Sequence, residues 1–163
     1  MPAFNPLLGE APEILILGSM PGRRSLSESR YYAHPQNCFW WIMSHIIGFE
    51  EGLSYQQKCK NLIDANFGLW DVLFDCDRLG SLDSNIRRSS EQTNDFSIFL
   101  DGFPSIRLIA FNGQTAKKIF MRYWQSLVEK NKHISWCLLP SSSPAYASIS
   151  REEKLAAWQK SLT

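Results

Sequence analysis

The chain has 163 residues, 44% of them hydrophobic and 20% charged, with a formal net charge of +1. That length suits one compact domain over residues 1–163 with a proper core, and the composition is that of an ordinary globular protein. No apolar run approaches the roughly 18–20 residues of a membrane span and no charged-then-apolar leader opens the chain, so a cytoplasmic protein is expected.

After a short arm, Glu13-Ile14-Leu15-Ile16-Leu17 reads as a strand buried on both faces and ending at Gly18. A polar loop, Ser19 to Gln36, follows. Phe39, Ile42, Met43, Ile46 and Ile47 then recur at helical spacing until Gly48, with Asn37 placed to cap the helix. A second amphipathic helix is expected over Tyr55–Asn66, and a second strand over Gly68–Phe74. Asp75 to Gln92 is a long polar loop; its Leu82 and Ile86 are of buried type, which predicts an ordered segment. Thr93 or Asn94 is placed to cap a short helix carrying Phe96, Phe99 and Leu100.

A third strand is expected at Arg107–Phe111. Asn112-Gly113 then turns into the most periodic helix, whose Ala116, Ile119, Phe120, Tyr123, Trp124, Leu127 and Val128 predict a core face. A fourth strand, Ile134–Leu139, runs into the Ser/Pro loop Pro140–Tyr146. Ser150 and Glu153 form a capping box that opens a last helix. Strands alternating with helices predict a parallel sheet covered on both sides.

The four cysteines, Cys38, Cys59, Cys76 and Cys137, form no C-x-x-C pair and have no His at metal-ligand spacing, so no metal and no disulfide are expected. The chain lacks G-x-x-x-x-G-K-[ST], G-x-G-x-x-G and G-x-S-x-G. Ser19, His34 and Asp83 offer the residue types of a Ser-His-Asp hydrolase, but their spacing does not support one. Positive residues bunch at Arg23, Arg24 and Arg30, at Arg87 and Arg88, and at Lys117, Lys118 and Arg122, either as a basic face or as a mixed solvated surface.

Two strand-end loops remain. The first offers Ser19, Tyr31, Tyr32, His34 and Asn37, and the second Ser141, Ser142 and Ser143 between two prolines, with Tyr146 just beyond. Hydroxyls and backbone N–H groups suit phosphates, a tyrosine ring suits a nucleobase, and an amide suits a base edge or a water. From the residues alone, a nucleotide pocket and a pair of Pro-stiffened structural loops both stand.

Gly18-Ser19-Met20-Pro21-Gly22 after a buried strand resembles the first motif of the uracil-DNA glycosylase superfamily. Tyr32-Ala33-His34-Pro35-Gln36-Asn37-Cys38-Phe39-Trp40 is similar to the segment that follows it in the mismatch-specific members, and Leu139-Pro140-Ser141-Ser142-Ser143-Pro144-Ala145 stands where the second motif falls. In combination the three most resemble the hypoxanthine-DNA glycosylase branch. The resemblance implies a three-layer α/β/α domain around a four-stranded parallel sheet. It also implies excision of a deaminated base from DNA, hypoxanthine first, without metal or cofactor. A monomer is expected.

The chain departs from the mismatch-specific relatives at Met20, where they carry a water-positioning Asn. A thioether cannot orient a water for attack. The resemblance to the hypoxanthine branch moves that work to Asn37, which can still cap its helix. It also implies Tyr32 as the stacking wall. Main-chain donors around Gly18, Ser19 and Met20 are expected to hold the base, with His34 reaching a phosphate or the base, or closing its own loop. Ser141, Ser142 and Ser143 are expected to grip the DNA backbone, with Ala145 and Tyr146 filling the gap in the stack. Asp83 and Asn85 line the pocket or simply form a turn. The rivals are a uracil-DNA glycosylase, a non-catalytic nucleic-acid-binding domain on the same scaffold, and a hydrolase of free nucleosides.

Overall fold

The computed structural model describes residues 2–163. In chain order its elements are β1 (Ile14–Gly18), α1 (Arg23–Glu28), α2 (Phe39–Met43, continued by a π-helical turn at Ser44–Gly48), α3 (Tyr55–Asp64), β2 (Phe67–Asp71), β3 (Leu73–Asp75), β4 (Gln92–Thr93), α4 (Phe96–Gly102), β5 (Leu108–Asn112), α5 (Gln114–Lys130), β6 (Ser135–Leu139) and α6 (Arg151–Leu162).

Successive side chains of a strand point to opposite faces. Ile14 and Ile16 of β1 therefore join one core cluster with Phe39, Ile42, Leu62 and Trp158, drawn from α2, α3 and α6. Leu15 and Leu17 join a second cluster with Phe96, Phe111, Ile119 and Phe120, drawn from α4, β5 and α5. A strand between two cores must be apolar throughout, which is what its sequence shows.

The sheet is four-stranded in the order β2-β1-β5-β6, with every pairing parallel. The three-layer α/β/α arrangement expected from the sequence is the one observed. The chain moves from β1 outward to β2, then crosses back to β5 on the other side. Connections leaving β1 and β5 thus run in opposite directions and open a crevice at the carboxyl ends, the usual ligand position of such sheets. Register places Gly18 opposite Asp71 and Asn112 opposite Leu139, so the strand ends form one rim.

Several local expectations change. The loop after β1 contains α1. The expected second strand divides: β2 stays in the main sheet, while β3 pairs antiparallel with β4. Helix α4 is capped by Asp95, whose carboxylate accepts from the Ile98 N–H, because the Asn94 amide is used to hold the Asp71 carbonyl at 2.8 Å. In α5 the backbone departs from helical geometry at Trp124, and Tyr123 turns out to solvent, its hydroxyl bonded to Glu91 at 2.8 Å. The 75–92 segment is ordered by two 3-10 turns and a bridge between Arg78 and Ile86, but Leu82 is exposed rather than buried. No helix of the described residues is long and apolar enough to cross a membrane.

Candidate active site

A cavity of about 710 Å³ occupies the crevice between the ends of β1 and β5. It brings together Gly18, Ser19, Met20, Tyr32, His34, Asn37, Asp83, Ser141, Ser142, Ser143 and Ala145, all singled out in the sequence. Arg23, Arg24, Asp71, Leu82 and Asn112 also line it. Asn85 does not: its amide donates to the Leu79 carbonyl at 3.0 Å and holds the loop. Tyr146 also lies outside the lining, with the Lys154 ammonium 5.3 Å from its ring centre.

The first loop is shaped by its own polar groups. Tyr31 anchors it, donating from its hydroxyl to the Asn5 carbonyl at 2.8 Å and accepting at its carbonyl from the Trp40 indole at 2.9 Å. Tyr32 follows in the left-handed region, φ 55°, an unfavourable place for a non-glycine residue that must be held by its surroundings. Its ring stacks on Phe39 with centroids 4.1 Å apart, and its buried hydroxyl has no hydrogen-bond partner. Burial pushes that phenol upward. His34 Nδ1 accepts from the Gln36 N–H at 3.1 Å, so the loop-closing role expected for it is present. Asn37 Oδ1 accepts from the Phe39 N–H at 3.0 Å, although the residue at the helix boundary is Cys38. That bond uses one of the two lone pairs of the amide oxygen, and Asn37 lines the cavity.

Asp71 ends β2 at the base of the cavity, 4% exposed, and its Oδ2 is buried without a partner. Burial, then the nearby Asp83 charge, push its carboxyl up to about 7, against the weaker opposing pull of Arg78. Gly18 makes room for it, since a Cβ there would lie 2.5 Å from Asp71 Oδ1 and 3.2 Å from the Tyr32 hydroxyl. Asp83 accepts from the Ser19 hydroxyl at 2.7 Å, and burial raises its carboxyl as well. The Arg78 side chain is buried behind both, donating to the Pro21 carbonyl at 2.5 Å and the Gly80 carbonyl at 3.1 Å.

The second loop is fastened to the end of β5. Ser142, 1% exposed, exchanges two bonds with Asn112: its N–H donates to Oδ1 at 2.9 Å and its hydroxyl accepts from Nδ2 at 2.9 Å. Its carbonyl accepts from the Cys38 N–H at 3.1 Å, tying the two loops together. Ser142 thus fastens the loop from within, its N–H and hydroxyl both bonded to Asn112. Ser141 and Ser143 make short local bonds and remain partly open. All four cysteines are free, and among the described residues no three His, Cys, Asp or Glu side chains gather as metal ligands.

Asp71, Asn112 and Leu82 line the cavity without being expected there, since Asn112 reads as a turn residue and Leu82 as buried. The first two carried a usable signal, for each is the polar residue that closes a run of apolar strand residues, where a parallel strand meets its ligand.

The sequence profile described as "UDG: Uracil DNA glycosylase superfamily" matches residues 6–162. The chain belongs to the uracil-DNA glycosylase superfamily. Two curated superfamily relatives are similar over about two thirds of the chain. A hypoxanthine DNA glycosylase of Methanosarcina acetivorans is 43% identical over 114 residues, 69% of this chain and 71% of its own. The protein of the same name from Methanosarcina barkeri is 41% identical over 112 residues, 68% and 70%. A solution NMR structure of an M. acetivorans protein described as "a putative Uracil DNA glycosylase" superposes with a TM-score of 0.79 at 36% identity, covering 99% of this chain and 98% of that one.

Proposed function

We propose that the protein is a monofunctional DNA glycosylase that flips a deaminated base out of DNA and hydrolyses its N-glycosidic bond, with hypoxanthine as its substrate. A stacked base is out of reach, so it must first leave the duplex. Water then adds at C1′ of the sugar as the bond to the base breaks, and the base departs with a proton. The sugar carries cation-like character on the way, so no strong nucleophile is required. No lysine lines the cavity among the described residues, which supports simple hydrolysis over an amine-linked intermediate.

The observation that carries the proposal is the convergence of Tyr32, Asn37 and Asp71 on a cavity large enough for a bicyclic purine. The Tyr32 ring, backed on one side by Phe39, is the stacking wall. Asn37 holds the base, the water, or both. Donors around Gly18, Ser19 and Met20 stabilise charge on the departing base. A neutral Asp71 carboxyl offers an O–H and a carbonyl, the complement of the C=O and N–H that hypoxanthine presents side by side. Ser141, Ser143, Arg23 and Arg24, which line the cavity, bind DNA phosphates.

Uracil presents the same N–H/C=O edge, which favours it as the second substrate. Base release from oligonucleotides carrying inosine, uracil, xanthine or a G·T mismatch tests the proposal. Hypoxanthine release is expected to be fastest. Release of uracil alone, tight binding without release, or turnover of free inosine in preference to DNA would each overturn it.

A further inference from the structure

A second cavity, of about 630 Å³, adjoins the first. Tyr31, Tyr32, His34, Asn37 and Pro144 line both, so the first loop is the partition between them. The far side of that partition is basic and aromatic: Arg30, Lys58, Arg151 and Lys154 line it together with Trp41 and Tyr55. The carboxylates in the lining are Glu28, already paired with Arg24 at 3.0 Å, and Glu51. Outside the lining, Glu152 reaches Arg151 at 3.4 Å. Arg30, Lys58 and Lys154 then face Glu51 alone, and the groove keeps positive charge that the protein does not neutralise.

Two features separate this groove from an ordinary solvated surface. Lys154 is 4% exposed, a position lysine rarely takes without a paired carboxylate. Among the described residues its ammonium meets the Ser143 carbonyl at 3.1 Å and the Tyr146 ring at 5.3 Å, and no carboxylate pairs with it. The second feature is the posture of the arginines. The guanidinium carbon of Arg151 lies 4.2 Å from the centre of the Trp41 ring, and that of Arg30 5.5 Å from the centre of Tyr55. A guanidinium held over a ring keeps its N–H edge for a phosphate and offers its other face to a base. The buried ammonium adds the charge that a phosphate needs. Phosphate and base together describe a nucleotide, and the shared partition sets it next to the one in the first cavity. A paired base is turned into its duplex and out of reach, so the occupant is unpaired. We propose that this groove is a second nucleotide subsite, holding the phosphate and unpaired base of the nucleotide that adjoins the flipped one.

This inference rests on the glycosylase reading, and its test separates the two. Binding of a fluorescent, undamaged single-stranded oligonucleotide is followed by anisotropy over a range of salt. Arg151→Gln and Lys154→Gln should each weaken binding at low salt about tenfold and lower the logarithmic salt slope by about 0.7, the share of one phosphate contact. Lys154→Arg should keep both. Because Lys154 is buried, urea midpoints are read on every variant, and the double variant Lys58→Gln/Arg151→Gln tests the groove from its open side if Lys154→Gln unfolds. Wild-type affinity and slope in the double variant overturn the subsite. A polyglutamate peptide of equal charge should bind far more weakly than the oligonucleotide. Equal binding would mark a surface for acidic protein segments and overturn the nucleotide assignment. Base release from an inosine oligonucleotide is measured in parallel, and its absence in wild type counts against the glycosylase reading alone.

Discussion

The Asp71 carboxylate stands against the α-carbon of Gly18, so close that a single methyl group on residue 18 would lie 2.5 Å from Asp71 Oδ1. Gly18→Ala should therefore displace a buried acid at the base of the cavity and press on the Tyr32 hydroxyl. A misplacement of this kind is expected to lower base release by about tenfold or more. Overpacking should cost about 1–3 kcal/mol of stability. Oligonucleotide assays and urea titration of the same preparation check both.

Asp71 also gives the protein a pH dependence of calculable sign. Its carboxyl is raised from 3.8 to about 7 in the folded protein, so the folded state holds a proton that the unfolded chain releases. The penalty is absent below the unfolded value, grows as pH rises from about 4 to about 7, and is constant above that. Asp71→Asn removes it and should be more stable than wild type at pH 8 by on the order of a few kcal/mol, with no such gain at pH 4. Base release by wild type should fall as pH rises through 7, while the amide variant, which keeps a donor and an acceptor, should lose less. Parallel melting curves and pH–rate profiles decide this, and parallel profiles for the two proteins would remove the neutral-acid role.

Asn37 is expected to separate stability from chemistry. Asn37→Ala loses the bond to the Phe39 N–H, worth about 0.5–2 kcal/mol. It should also lose about a hundredfold or more in base release. Asn37→Asp keeps the acceptor for Phe39 but not the amino donors, so it should melt close to wild type and still be severely impaired. An active Asn37→Asp would move the chemistry to another group.

Asn112→Ala should damage the site from behind. It leaves the Ser142 N–H buried without a partner, a loss of about 1–3 kcal/mol. Both loops depend on Ser142, so base release should fall together with the urea midpoint. Full activity at a lowered midpoint would show that the fastening serves the fold alone.

What the sequence announces here is whatever short-range periodicity carries. The continuous apolar run of β1, the Ser150–Glu153 capping box and the buried Phe39, Ile42 and Met43 of α2 depend on neighbours within a few positions, and each is found where the spacing put it. Tyr123 fails because helical spacing holds only while the helix is regular, and the backbone turns at Trp124. Leu82 fails because its loop is held by the polar bonds of Arg78, Asp83 and Asn85 and needs no apolar contact to be ordered. Asp71 and Asn112 become legible once parallel register sets them beside Gly18 and Ser142, a relationship between segments that no local pattern contains. The motifs at Gly18–Gly22, Tyr32–Trp40 and Leu139–Ala145 did mark the walls of the cavity, because the loops themselves carry most of its lining.

The Ser142 peptide unit has a consequence for how the site breathes. It joins the end of β5, the start of α2 and the second loop through bonds to Asn112 and Cys38. A fluctuation that frees one of these segments must strand the others' hydrogen-bonding groups in a buried position. The amides of Cys38 and Ser142 should accordingly exchange their hydrogens with solvent at a common rate, as members of one opening unit.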